Sequence, residues 1–313
     1  MSSSVSNDTQ LADFVEQVVS AVVAPLMIGS WISTALYGIE LLLAHHWYQQ
    51  RVVKDTAVLK CAIAFVLVVD TVAVIVSQMG VYDYAITHFG EFSYLLGQHW
   101  HFIVYELCTA LTALVLQTFL LHRYWKLSRN VLISLFLLAS TMAAFATSLA
   151  LAVALVQHAT LYLQESLAVY LTLWLGLEAA TDILIASALV YDLYGFHRRT
   201  TVDETRSILS RLIIMTVETG LLTSLWACIV LVVYLTNRLN TYSAGVAYPL
   251  GRGYTLTLLA NLLLRNSLRS SGSPSLKVTG TMPRTSGISA VVVQNTTIVE
   301  IDQASTFCLI LLG

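Results

Sequence analysis

Seven stretches of the chain are apolar over nearly their whole length, and short polar links, several of them basic, separate them. They lie near 22–44, 57–79, 101–122, 131–156, 166–191, 209–236 and 244–265. A helix needs about 20 mainly apolar residues to cross the hydrocarbon core, so each stretch predicts one spanning helix. The fourth and sixth exceed that minimum and have room to tilt. A membrane barrel strand alternates apolar and polar residues over short runs, and stretches such as Val131–Val156 do not. The predicted fold is all-α: a polytopic membrane protein, a seven-transmembrane-helix bundle. Residues 1–21 form an outer N-terminal segment, 22–269 the membrane domain, and 270–313 a cytosolic, mostly disordered tail.

Composition supports this. Hydrophobic residues make up 57% of the 313 and charged residues 11%, against about 25% charged in a soluble domain. The mean hydropathy is +0.75. The net charge of -2 leaves no basic footprint for nucleic acid. The few charges are informative by position, because basic residues collect in cytoplasmic loops. The first link holds Arg51, Lys54 and Lys60, and the third Arg123, Lys126 and Arg129. The fifth holds Arg198, Arg199, Arg206 and Arg211, and the tail Arg265, Arg269, Lys277 and Arg284. The opposite side carries only Arg238, and Arg252 falls inside the seventh helix. The asymmetry predicts an N-outside, C-inside arrangement.

Asn7-Asp8-Thr9 is a candidate glycosylation sequon on the outer side. Asn295-Thr296-Thr297 would be inert in the cytosol. The polar start lacks a basic n-region, so the first helix is expected to act as an uncleaved signal anchor. Cys61, Cys108 and Cys228 lie in apolar segments and read as small packing residues; Cys308 lies in the tail and is not four residues from the end, as prenylation requires.

Several local patterns occur together. Helix one carries Pro25-Leu26-Met27-Ile28-Gly29 and Leu36-Tyr37-Gly38. The first link contains Trp47-Tyr48, Lys54-Asp55 and Leu59-Lys60, and helix two Asp70-Thr71. Helix three ends Gln117-Thr118-Phe119 and then Arg123-Tyr124-Trp125-Lys126-Leu127-Ser128. Residues 179–269 run AATDILIASALVYDL, SRLIIMTVETGLLTS and NLLLRNSLR. Together they resemble a family of fungal membrane proteins, abundant in mushroom-forming basidiomycetes, known as domain of unknown function 6534. The resemblance extends to about Arg269. It implies a multi-pass membrane protein from a fungus and implies no activity. Glu218 stands where many members carry Asn, and Arg252 where many carry Lys.

A charge at the bilayer centre costs roughly 2.5–3.5 kcal/mol even on a lenient scale, so charged residues in spans mark protein interior or a wet cavity. Asp70, Glu106, Glu178, Asp182, Glu218 and Arg252 are such residues. Glu40, near the inner end of helix one, is expected to reach the interface. Glu178 and Asp182 share one helix face, and Glu218 lies about 14 Å from the inner end of its helix. With Asp70 they are candidates for one central cavity. Arg252 lies about 12 Å from the outer end of helix seven and Glu106 at comparable depth, which makes them the expected ion pair, with Asp70 the alternative partner. Five acids facing one base cannot all ionise in a dry core. They belong either to a solvated site or proton relay, or to hydrogen bonds that fix the bundle. His88, His99, His101 and His158 fall on the outer side and read as solvated or interfacial rather than as metal ligands. Trp47, Trp100, Trp125 and Tyr162 read as interfacial belts.

The arrangement is that of a receptor-like sensor of a small molecule. His122-Arg123-Tyr124 sits where G-protein-coupled receptors carry their acidic-Arg-Tyr switch, but lacks the acid. A transporter or channel using the buried acids is the alternative, without the internal repeats that would support it. An accessory or structural role is the third reading. No nucleophile–base pair or metal spacing points to an enzyme. No cofactor is expected: a retinal Schiff base needs a buried lysine, and Lys54, Lys60, Lys126 and Lys277 all lie in links, at a helix start or in the tail. The expected partners are the lipid bilayer of the plasma membrane or an endomembrane, a small-molecule ligand and an unidentified cytosolic partner.

Overall fold

The computed structural model describes the backbone of residues 2–49, 57–89, 91, 94, 97, 99–157, 164–199, 203–236 and 241–271, and the side chains of residues 21–49, 57–89, 91, 94, 97, 99–157, 168–192, 194–195, 220–236 and 241–263. The side chains of Asn7, His158, Tyr162 and Glu218 and the tail from 272 on, with Cys308, lie outside the described residues.

The elements are helices: α1 Ser2–Gln49, α2 Ala57–Tyr82, α3 Trp100–Ser128, α4 Val131–Gln157, α5 Gln164–Arg199, α6 Asp203–Thr236, α7 Tyr242–Ala247 and α8 Leu250–Ser271. Five described segments are long and apolar enough to cross a membrane: Ala21–Gln49, Ala57–Thr87, Trp100–Ser128, Val131–Gln157 and Ala168–Asp192. Gly220–Thr236 is a shorter apolar stretch of α6. Among the described residues the fold is all-helical, that of a multi-pass membrane protein.

The side chains are arranged inside out relative to a soluble protein. On α1, Leu26, Ser30, Ser33, Glu40, Ala44 and Trp47 recur at three- and four-residue spacing and face inward. Glu40 is 0% exposed while Leu42 is 70% exposed. That distribution fits a hydrocarbon surrounding, where an apolar surface costs nothing and charged side chains are kept inside the bundle. The same spacing on α2 buries Ile63, Val66, Asp70, Ala73, Ser77 and Gly80. Trp47 therefore packs in the core rather than in an interfacial belt, whereas Trp100 and Trp125 are exposed.

Consecutive helices pack side by side from α1 to α6, and α1 closes the ring against α7 and α8. α3 occupies the interior, touching α2, α4, α5 and α8. The seventh apolar stretch is broken rather than continuous. Pro249 has no N–H, so the helical ladder lapses between α7 and α8. The Tyr105 hydroxyl donates to the Ala247 and Tyr248 carbonyls there, at 2.9 and 2.8 Å. α2 ends in a wide π-helical turn, Asp83–Thr87, which places Tyr84 inward with its hydroxyl donating to the Gly97 carbonyl. The α3–α4 link turns at Arg129, whose φ of 51° is left-handed.

The closure of α1 on α7 begins with Pro25. A proline inside a helix leaves the carbonyl four residues back without its N–H, here that of Ala21. The Thr241 hydroxyl approaches that carbonyl at 3.4 Å and donates to its neighbour, Val22, at 2.5 Å. One turn on, Gly29 meets Gly245 backbone to backbone: a Cβ on Gly29 would lie 2.7 Å from the Gly245 Cα, and one on Gly245 2.7 Å from the Pro25 carbonyl carbon. Gly38, on the same helix, has nothing within 4 Å. Gly29→Val is therefore expected to lower the thermal midpoint of the purified protein. Gly38→Ala is expected to hold or slightly raise it, since alanine gains up to about 1 kcal/mol over glycine in a helix. Equal midpoints for the two variants would show that α1 and α7 do not rely on this approach.

Candidate functional site

Apart from Arg123, near the C-terminal end of α3, the buried charges described here lie in or beside two clusters on opposite sides of α8. Arg252 and Thr255 are three residues apart and share a face; Tyr254 lies roughly 200° round the helix from Arg252.

On the first side, Arg252 forms an ion pair with Asp70 of α2. The Thr255 hydroxyl donates to the other carboxylate oxygen of Asp70 at 2.5 Å, and Arg252 Nε donates to Ser33 Oγ of α1 at 3.3 Å. Arg252 and Asp70 are each 1% exposed. The alternative partner has thus won over Glu106. Depth along the helices favoured Glu106, but a helix face decides which partner is reached, and the face of α8 that carries Arg252 is turned to α1 and α2. Next to Asp70, Thr71 and Tyr37 share a hydroxyl–hydroxyl contact of 2.7 Å between α2 and α1.

Glu40 does not reach the interface. It stands two turns along α1 from Ser33 on the same face, fully buried, near enough to Asp70 and Arg252 to feel their charges. Neither of its carboxyl oxygens has a hydrogen-bond partner among the described residues.

On the second side, Glu178 and Asp182 of α5 meet Gln117 of α3. The single Gln117 amide nitrogen donates to both, at 2.8 Å to Glu178 Oε1 and 3.1 Å to Asp182 Oδ1. The Thr223 hydroxyl of α6 donates to Asp182 Oδ2 at 2.8 Å. The Tyr254 hydroxyl lies against both carboxyl groups without reaching hydrogen-bonding geometry to either. Asp70 is not part of this group, so the expected single central cavity becomes two separate clusters. Glu106 stands three turns above Gln117 on one face of α3, with Ala110 and Ala113 between. It is 6% exposed, close enough to Glu178 for the two charges to repel, and both of its carboxyl oxygens lack a partner among the described residues. The indole N–H of Trp174, one turn before Glu178 on α5, is likewise buried and unpartnered among them.

The histidines form a third feature, outside these clusters. The Tyr94 ring is stacked between His88 and His99, at 3.7 Å on each side. His101, expected at the interface, is 1% exposed instead. It fits because position 80 is glycine: a Cβ there would lie 2.6 Å from the His101 ring. Among the described residues no three His, Cys, Asp or Glu side chains are placed to hold a metal ion. Cys108 is buried, while Cys61 and Cys228 are exposed among the apolar side chains of their spans.

Gln117, Thr223, Thr255 and Ser33 belong to the site and were not singled out from the sequence. Gln117 carried a signal, a polar amide in mid-span 11 residues after Glu106. The hydroxyls carried none, because Ser and Thr in a span satisfy themselves on the preceding turn, as Thr109 does on the Tyr105 carbonyl.

Residues 178–267 match the model of a family of unknown function, DUF6534. The match takes in Glu178, Asp182, Thr223, Arg252, Tyr254 and Thr255, and stops short of Asp70, Glu106 and Gln117. It supports the family resemblance and carries no activity. No curated protein and no solved structure matches the chain.

Breaking a buried pair by removing one member costs about 3–5 kcal/mol, because the other charge is stranded. Arg252→Met is thus expected to destabilise the protein strongly, and Arg252→Met with Asp70→Asn to recover part of the loss. Arg252→Met with Glu106→Gln is expected to be additive. A double-mutant cycle on thermal or chemical denaturation measures both couplings; coupling to Glu106 in place of Asp70 would contradict the pairing.

Proposed function

We propose that the protein is a receptor-like sensor of a small molecule, a seven-helix bundle with its N-terminus outside and its C-terminus in the cytosol. The observation that supports a sensor is the position of α8 between the two clusters. Tyr254 faces the acids of α3 and α5, where Glu106 and Trp174 hold polar atoms without partners among the described residues. Arg252 and Thr255, on the other face, hold α1 and α2. A molecule that engages the first face bears on the helix that the second face locks. Differential contact of this kind is what lets a ligand shift a conformational equilibrium.

The basic links and tail, set against an outer side with Arg238 alone, support the orientation. α6 and the pair α7–α8 complete the seven spans in this reading. The resemblance adds a fungal source and a plasma-membrane or endomembrane setting, and Asn7 would then be an outer glycosylation acceptor. No residue is assigned a catalytic role. A transporter or channel is the second reading, favoured by one observation: Glu106, Glu178 and Asp182 follow one another from one end of the bundle toward its middle, as a proton path would. An accessory or structural role remains if neither binding nor flux is found.

Epitope tags at both termini test the topology: only the N-terminal tag is expected to be detected on intact cells, and detection of the C-terminal one would overturn it. For the sensor, purified full-length protein in nanodiscs is screened against a chemically mixed library by thermal shift, since a ligand of the folded state raises apparent stability. A binder is expected also to change hydrogen exchange across 242–263. A set of binders that all leave exchange there unchanged would refute the sensor, and proton flux through proteoliposomes would favour the transporter.

A further inference from the structure

On the α3–α5 side of the bundle the buried base of α3, Arg123, lies about 25 Å along the helix from Glu106. Glu106, Glu178 and Asp182 lie there together, and among the described residues no ion pair joins any of them to a base. Arg252, the buried arginine of α8, is turned away and held by Asp70. Glu178 and Asp182 are tied to each other through the Gln117 amide, and Asp182 is further held by Thr223. These bonds satisfy that pair within the protein. Glu106 has no such arrangement: its carboxyl group is buried with neither oxygen partnered among the described residues. An unsatisfied buried carboxyl group is costly, and the cost falls when a complementary group arrives.

The surroundings of Glu106 narrow the chemistry of that group. Ala110 and Ala113, below it on α3, bring no polar side-chain atom. Tyr254, against the Glu178 carboxyl group, and Trp174, one turn before Glu178 on α5, supply aromatic surface beside the acid whose charge Glu106 meets. A bare metal ion needs a shell of several oxygens, and no three acid, His or Cys side chains are placed for one among the described residues. A protonated amine needs less: one carboxylate for its N–H donors and aromatic or aliphatic walls for its carbon skeleton.

We propose that Glu106 is the counter-ion of a binding site for a small organic cation carrying a protonated amine, with Trp174 and Tyr254 as its aromatic walls. This deepens the sensor reading and rests on it for the purpose of binding, but not for the chemistry of the ligand.

The test uses the full-length protein in nanodiscs at pH 7. The probes are 2-phenylethylamine and tryptamine, with 2-phenylethanol as the neutral counterpart of the first and sodium chloride as the inorganic cation. The amines are expected to raise the thermal midpoint saturably, and the alcohol and sodium are expected not to. Glu106→Gln is expected to weaken amine binding by at least about tenfold, and Glu106→Asp to retain most of it. Tyr37→Phe, which removes the hydroxyl contact with Thr71 between α1 and α2, controls for general loss of stability and is expected to leave amine affinity within about threefold of the parent. If Glu106→Gln does not fold, Ala110→Val, which keeps the carboxyl group and adds bulk one turn from it on the same face of α3, is expected to weaken binding by a similar factor instead. Equal shifts by amine and alcohol, equal amine affinity in the parent and Glu106→Gln, or a shift with sodium alone would each overturn the proposal. A neutral or anionic binder from the mixed library that alters exchange in α8 would do so too, while leaving the sensor reading intact.

Discussion

The bond between Arg252 and Asp70 is the constraint on which the bundle depends. A guanidinium cannot shed its charge, so in a hydrocarbon setting it must find an anion or the helix that carries it will not insert stably. Arg252 finds Asp70 on α2 and Ser33 on α1, and Thr255 from its own helix completes the carboxylate. The last helix is thereby fixed to the first two in rotation as well as in distance. With α8 held in one rotation, Tyr254 points to the opposite side, and the acids of α5 acquire their aromatic neighbour. The second cluster is a consequence of the first.

The two clusters satisfy the same need in different ways. The first neutralises charge with charge. The second holds two carboxyl groups with an amide and a hydroxyl, and among the described residues no base pairs with either. Glu40 and Glu106 extend the contrast, since each stands beside one cluster, buried and without a hydrogen-bond partner among the described residues. Glu40 has a buried arginine close by; Glu106 has another acid.

Most of the helical plan was legible in the sequence because a membrane enforces element length, and length is read directly from a hydrophobic run. α2 and α4 start at their expected residues, 57 and 131, while α3 runs on past its expected end at 122 to Ser128. Depth was legible for the same reason, and depth alone led to the wrong partner for Arg252. Rotation was the missing quantity. It was recoverable in part: Arg252 and Thr255 share a face, as do Glu106 and Gln117, but which neighbour each face meets depends on the ring order of the helices, and one chain does not encode that in any local pattern. Glu40 was misplaced for a related reason. Its position near the end of an apolar run suggested the interface, yet α1 continues helical to Gln49 and keeps Glu40 on the stripe that faces inward. The lapse at Pro249 interrupts an otherwise apolar stretch, and hydropathy does not register it.

The contact between α1 and α7 bears on how the molecule comes together. α1 is synthesised long before α7, and until α7 arrives the carbonyls above Pro25 and the bare backbone at Gly29 face whatever surrounds them. No neighbour supplied earlier in the chain provides the Thr241 hydroxyl or the Gly245 backbone. Individual helices insert first and associate afterwards, so the first span is held in waiting and the ring shuts only when the last apolar segment has entered. A chain halted before Thr241 would lack α7 and α8 and keep an open seam, with the polar stripe on α1 deprived of those partners. Such a species is the one that quality-control machinery in the membrane would meet as unfinished.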